Sequence, residues 1–196
     1  WNSQKVRCYI DAELQGEFNK FDFPDFEKLF VGTPYPSWIY LGQEASLIDE
    51  LEILSVALNE SELKTRLNFL LEAKKNEDAL VQADFQREAL LYVPFEKTFQ
   101  AEKIPANVTI RNNFGAEPAR YSKGIKGEAL VLGGDNLPKL YFNAPDFPNS
   151  QEGSCLLWVK PEWSLSNKEA YFLLAFFSKD ERLLLYKPHN TSKISL

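Results

Sequence analysis

Two kinds of hydrophobic pattern divide the chain into three regions. Apolar and polar residues alternate over residues 4–14 and 46–54, as in half-buried strands. After residue 59 the leucines recur at helical spacing, at Leu63, Leu67, Leu70 and Leu71. From residue 89 onward, short apolar segments alternate with turn residues. The pattern therefore predicts strands, then a helical connector, then more strands.

The predicted helix has a clear N-terminal signal. Asn59 is a favoured capping residue, and Glu62 follows it three positions later, as in a capping box. We therefore expect a helix over residues 60–72, with a second helix or a continuation over residues 76–88.

The strands predicted after the helix are short, apolar and bounded by Gly, Asn, Asp or Ser. They cover residues 89–95, 108–110, 128–132, 139–142, 155–159, 171–177 and 182–186. Residues 19–40 are dense in Phe, Pro and Tyr, which predicts short strands and turns. Many short strands at regular spacing are typical of a sandwich or a barrel, so the predicted fold class is all-β.

Composition narrows the classes of function. The 196 residues include fifteen Phe, eight Tyr and four Trp, and aromatic residues favour strands. A net charge of −6 argues against nucleic acid as a partner, because phosphate binding needs clustered Lys and Arg. No apolar run is long enough to predict membrane insertion. The absence of Met, together with Trp1, predicts a processed or excised piece of a longer protein.

Two stretches resemble the concanavalin A-like, laminin G-like jelly-roll family. Residues 92–95 (YVPF), 124–130 (GIKGEAL) and 158–163 (WVKPEW) are similar to the beginning of such a domain. Residues 9–12 (YIDA) and 48–53 (IDELEI) are similar to its end. The family hairpin usually has Asp-Gly where this chain has Asp-Ala, and Ala disfavours the positive φ of a tight turn. We therefore expect a longer hairpin loop or another turn type near residues 11–13.

The two stretches occur in reversed order, which sets the expected domain organisation. Residues 1–58 resemble the C-terminal half of a sandwich, residues 59–88 form the helical connector, and residues 89–196 resemble the N-terminal half. The halves either close into one permuted sandwich or belong to two consecutive modules. Because a half-sandwich exposes an apolar face and unpaired strand edges, we expect the halves to pair within the chain or with halves of neighbouring copies.

The resemblance implies a non-catalytic extracellular or cell-surface module for adhesion or for recognition of a glycan or protein ligand. Two alternatives stay open. One is a structural subunit that assembles with copies of itself by exchanging half-sandwiches. The other is an accessory domain of a secreted glycan-active enzyme.

Candidate binding residues follow from the resemblance and from composition. Domains of this kind often hold a structural Ca²⁺, and the Asp of the IDE motif, here Asp49, is the implied ligand. Aromatic rings can stack on sugars, and Tyr35, Trp38 and Tyr40 are the candidates for such a ligand-binding surface.

Catalytic chemistry has weaker candidates. Glu50 and Glu52 share a strand face, but the flanking positions on that face are apolar, so the third acid of the glycosidase pattern of this fold is missing. We expect them on a solvated sheet face, and we predict no catalytic residues. His189 is the single histidine and lacks a nucleophile motif. Cys8 and Cys155 either form a disulfide or remain buried thiols.

Overall fold

The computed structural model describes residues 5–19, 28–31, 46–75, 89–112, 118–132, 140–145, 152–164, 166, 168–177, 182–191 and 194–195. These residues are mostly antiparallel β structure with one helix, which confirms the all-β class. The elements are β1 Lys5–Ile10, β2 Glu13–Asn19, β3 Lys28–Val31, β4 Ser46–Leu54, α1 Glu60–Lys75, β5 Ala89–Val93, β6 Thr109–Asn112, β7 Tyr121–Lys123, β8 Glu128–Leu132, β9 Leu140–Asn143, β10 Ser154–Pro161, β11 Tyr171–Phe177 and β12 Arg182–Lys187.

The described strands form two five-stranded sheets and a separate hairpin of β1 and β2. One sheet has the order β10-β4-β8-β7, with β5 also paired to β4. The other has the order β12-β11-β3-β9-β6. β4 is central in its sheet: β10 runs along one of its edges, and β8 and β5 share the other.

Each sheet combines a strand that precedes α1 in the sequence with strands that follow it. Among the described strands, β4, which precedes α1, pairs only with strands that follow it, and β3 lies between β11 and β9. Each region thus covers strand edges that the other would leave open. Pairing within the chain is one of the two outcomes that the edge argument allowed, while the boundaries at residues 58 and 89 stay predictions.

The core lies between the two sheets, which gives a sandwich-like architecture. Buried side chains of β4, β5 and β8 meet those of β3, β9 and β11 in one apolar cluster. Its most enclosed members include Leu29, Val31, Ile48, Leu51, Ile53, Leu91, Leu130, Leu140 and Phe142. Alternation along each strand supplies these inward positions.

α1 confirms the sequence signal at its N-terminus. The backbone N–H of Glu62 donates to Asn59 Oδ1 at 3.1 Å, and the N–H of Asn59 donates to Glu62 Oε2 at 2.7 Å. This reciprocal pair satisfies two backbone donors that have no partner within the helix. The helix runs to Lys75, three residues beyond the predicted end, and the second helix predicted over residues 76–88 lies outside the described residues.

The β1–β2 hairpin corrects an expectation. Its strands are joined by a two-residue loop, and both loop residues have positive φ, 51° at Asp11 and 59° at Ala12. The expected longer or different turn was therefore wrong. Ala12 is buried, so the packing of its methyl group offsets part of the backbone strain that this conformation imposes on Ala.

We expect Ala12→Gly to raise the free energy of unfolding by about 0.5 kcal/mol, because Gly adopts positive φ without strain. Urea denaturation measures the change. Ala57→Gly is the matched control, since Ala57 has a negative φ and should lose stability from the added freedom of the unfolded chain. Equal destabilisation of both variants would refute strain at Ala12.

Candidate ligand-binding cavity

A bulge in β4 determines where its acidic residues lie. The register between β10 and β4 shifts at the point where β4 carries one residue more than β10, between Asp49 and Glu52. Glu50 has a φ of 48° there. Ile48 and Ile53 are an odd number of residues apart, yet both lie in the core, which only an extra residue in the strand allows.

Asp49 is enclosed by a backbone loop from the other half of the chain. Its carboxylate accepts N–H hydrogen bonds from Ile125 at 2.9 Å, from Lys126 at 3.3 Å and from Glu50 at 3.0 Å. A side chain at Gly124 would place its Cβ 2.2 Å from Asp49 Oδ2, so only glycine permits this approach. Burial, and then the charge of Glu50, raise the pKa of Asp49 to about 8.

The contacts of Asp49 can be compared with those of a Ca²⁺ ligand, which is the role that the family resemblance implies for it. Ca²⁺ takes six to eight oxygen ligands, whereas both oxygens of Asp49 face N–H donors. Within the described ranges, no group of three or more His, Cys, Asp or Glu is placed to hold a metal ion. The described neighbours of Asp49 therefore do not fit Ca²⁺. Calcium binding stays a prediction.

Glu50 is buried with one oxygen unsatisfied. Its side chain is 6% exposed, and Oε2 accepts a hydrogen bond from the Tyr92 hydroxyl at 2.9 Å. Oε1 has no hydrogen-bond partner, although the Lys126 ammonium lies 3.9 Å away. Burial raises the pKa of Glu50 to about 7, against the opposing charge of Lys126.

Glu52 connects β4 to the helix. Its carboxylate accepts a hydrogen bond from the Arg66 guanidinium of α1, and the two side chains are only 14% and 7% exposed. Burial raises the pKa of Glu52, while Arg66 opposes the shift. The expected solvated face for Glu50 and Glu52 was therefore wrong, because residues of α1 and of the loop 124–127 lie against these side chains.

Glu50, Glu52 and Arg66 line a cavity of about 420 Å³. β1 and β10 form two of its walls, and the cavity also touches α1, β11 and β12. Among the described strands β1 pairs only with β2, and β10 pairs only with β4. The cavity is thus lined by two strands that each have one edge to which no other described strand is paired. Most of its surface is apolar, with side chains such as Leu63, Leu67, Leu157, Val159 and Leu185.

Both cysteines line this cavity. Cys8 lies on β1 and Cys155 on β10, and both are free thiols. Burial raises the pKa of Cys8, and it raises that of Cys155 to about 12. Both thiols are therefore protonated at neutral pH, where they behave as small apolar side chains and as poor nucleophiles.

Of the other candidate residues, the described Asp49 and His189 do not line the cavity. Tyr35, Trp38 and Tyr40 lie outside the described residues, so a sugar-stacking surface there stays a prediction. Trp163, by contrast, lines the cavity, stacks on Tyr171 at 4.3 Å between ring centroids and is almost fully buried. His189 is exposed in a turn.

Comparison with known proteins adds no family assignment. In the part of the chain described here, no helix has both the length and the apolar character needed to cross a membrane. Models of known protein families, curated proteins and solved structures contain no match to this chain.

Proposed function

We propose that the chain is a non-catalytic ligand-recognition module, built as a laminin G-like jelly-roll sandwich with its halves in permuted order. The family-like motifs support this proposal through their contacts. The loop of the GIKGEAL segment wraps the Asp of the IDELEI segment, and the WVKP strand β10 pairs with the IDELEI strand β4. An extracellular or cell-surface location is part of the same proposal.

The cavity beside Glu50 is the main observation that supports a function in ligand recognition. Ligand sites in proteins are concave and mostly apolar, with a few polar groups that orient the ligand, and their volumes are roughly 300–1,000 Å³. The cavity has about 420 Å³ and a mostly apolar lining, and Glu50, Glu52 and Arg66 are among its few charged lining residues. It is therefore suited to enclose a small ligand or an apolar group of a larger one.

The same contacts argue against catalysis by the two glutamates. A retaining glycosidase needs one carboxylate free to act as nucleophile and a second free to act as acid. Glu52 is held by Arg66, and Oε2 of Glu50 is held by Tyr92. Neither side chain presents a carboxylate with both oxygens available to a substrate.

A ligand-detected NMR screen of small aromatic compounds tests the recognition proposal. We expect several compounds to bind the wild-type protein, and Ala57→Phe to weaken their binding at least tenfold by filling the cavity that Ala57 lines. Glu128→Gln is the control, because Glu128 lies outside the cavity lining. Failure of every compound to bind, or binding that survives Ala57→Phe unchanged, would reject the cavity as the site.

Hydrolysis of chromogenic glycosides tests the enzymatic alternative. We expect wild-type protein and Glu50→Gln to give the same rate as buffer. A rate that is above buffer in the wild type and lost in Glu50→Gln would overturn the non-catalytic proposal.

The structural alternative has one observation in its favour. No described strand pairs with the second edge of β10, and an open edge can pair with a strand of another copy. Concentration-dependent oligomers in light scattering, abolished by Leu157→Pro in β10, would support assembly. A monomer at all concentrations would exclude it.

A further inference from the structure

We propose that the cavity takes an extended apolar peptide segment of a protein ligand, which lies as an added β-strand between β1 and β10. This inference deepens the proposed function and rests on the cavity being a binding site. It specifies the class of ligand, a peptide, and the way in which the ligand is held, through hydrogen bonds between backbones.

The cavity runs along one edge of β10 rather than over one of its faces. Each of the residues 154–159 lines it, although successive side chains of a strand point to opposite faces. Leu157 and Val159 pack against the core between the sheets, whereas Leu156 packs against a separate cluster that includes Tyr92. A cavity that touches both sets of side chains follows a strand edge, and the other edge of β10 is paired with β4.

β1 presents an edge to the same cavity. Every residue of β1 lines it, whereas residues 13–17 of β2 do not. Lys5 and Arg7 share one face of the hairpin, where both bind Glu17, and Val6 is buried on the opposite face. The cavity therefore follows the edge of β1 that is not paired with β2. Neither this edge nor that of β10 is paired with another described strand.

A strand between these two edges would be covered on both faces. On one face α1 contributes Leu63, next to the pair of Glu52 with Arg66. On the other face Leu183 and Leu185 of β12 line the cavity and pack against the core between the sheets. Strands covered on both faces are nearly continuous apolar runs, so the ligand segment should be apolar at consecutive positions rather than at alternate ones.

Two open edges at one cavity favour a lone segment over a strand that already belongs to a sheet. The outer strand of a folded sheet has only one free edge, so it could pair with β1 or with β10 but not with both. A lone extended segment offers hydrogen-bonding groups on both of its edges. The ligand is therefore an unpaired stretch of a partner protein and not a folded copy of this chain.

Backbone N-methylation of a synthetic peptide tests the two-sided pairing. The parent probe is fluorescein-labelled KKVIVLVIKK, and fluorescence anisotropy measures its binding to the wild-type protein. Two further probes are N-methylated at alternate apolar residues, in one or the other of the two possible sets, so that each loses the donors of one edge. We expect each of them to bind at least tenfold more weakly than the parent. Parental affinity in either methylated probe would overturn the inference.

The probes share one charge, so attraction of their lysines to a chain of net charge −6 does not distinguish them. A further probe of the same charge, KKVSVSVSKK, has serine at alternate positions and makes one face polar. We expect it to bind at least tenfold more weakly than KKVIVLVIKK, because both faces of the segment lose contact with water. Equal binding of the two would contradict apolar cover on both faces.

Hydrogen exchange followed by NMR locates the bound peptide. Addition of KKVIVLVIKK to the wild-type protein should slow exchange at alternate backbone amides of both β1 and β10. Protection in neither strand, or in one alone, would overturn insertion between them. Protection that appears without peptide and grows with protein concentration would identify a second copy as the occupant and would overturn the inference as well.

The peptide ligand and the proposed function fail in different ways. Ala57→Phe should weaken binding of the parent probe at least tenfold, whereas Glu128→Gln should not change it, because only Ala57 lines the cavity. Small aromatic compounds that bind and are displaced by Ala57→Phe, with no binding of the peptide, keep the cavity as a site and reject only the peptide ligand. Failure of both the compounds and the peptide to bind rejects the cavity and therefore the proposed function.

Discussion

Arg66→Ala is expected to lower the free energy of unfolding by about 3–5 kcal/mol at pH 8, because it leaves a buried carboxylate without its partner. The Arg66 and Glu52 side chains are only 7% and 14% exposed, so water replaces the lost ion pair poorly. Burial already raises the pKa of Glu52, and protonation removes the unpaired charge. The loss should therefore be smaller at pH 5 than at pH 8, as urea denaturation at both values will show.

Two control variants distinguish the loss of the buried Arg66–Glu52 ion pair from a general loss of stability in α1. Lys64→Ala removes the exposed partner of Glu60 on the same helix, and exposed pairs of this kind are worth about 0.5 kcal/mol or less. Adding Glu52→Gln to Arg66→Ala removes the stranded charge and should recover part of the stability. A loss in Arg66→Ala no larger than in Lys64→Ala would show that the pair contributes little.

The wild-type protein is expected to lose stability as the pH rises from 5 to 8. Asp49 and Glu50 have folded-state pKa values of about 8 and about 7, above the ordinary values of 3.8 and 4.5. Between these values the folded state binds more protons than the unfolded state, so raising the pH favours unfolding. The stabilisation is present below about pH 4 and is lost as the pH passes through 7 to 8.

The Glu50 part of this effect can be measured alone. A tenfold change in proton affinity is worth about 1.4 kcal/mol, so a shift from 4.5 to about 7 corresponds to roughly 3 kcal/mol. Glu50→Gln cannot titrate, and its stability should fall less between pH 5 and pH 8 than that of the wild type. Glu128→Gln is the matched comparison, because it makes the same substitution at a carboxyl that lies outside the cavity lining. Identical slopes in all three proteins would contradict a raised pKa at Glu50.

Local patterns were sufficient to predict most elements of the fold. The spans 128–132 and 171–177 coincide with β8 and β11, because alternation and turn residues act over neighbouring positions. The capping box at Asn59 formed as predicted. β7 was missed, since three residues that include Ser122 and Lys123 carry too little apolar pattern to indicate a strand.

The bulge in β4 could have been found in the sequence. Ile48 and Ile53 are both large and apolar, yet they are five positions apart and would face opposite sides of a regular strand. This conflict indicates an extra residue between them, which is where Glu50 has its positive φ. Strict alternation instead predicted a regular strand, and the acidic residues were expected in water.

The order of apolar, polar and turn residues was enough to establish an all-β chain with one helix, because each of these signals arises within a few neighbouring residues. The cavity, the ion pair of Glu52 with Arg66 and the orphan oxygen of Glu50 depended on three-dimensional packing. They exist because α1, β1 and β10 line one cavity with Glu50 and Glu52 of β4, although these elements lie far apart along the chain. Burial and long-range pairing then determine the charge and the hydrogen bonds of each carboxylate. A local sequence pattern cannot predict these partners, because they come from residues distant along the chain.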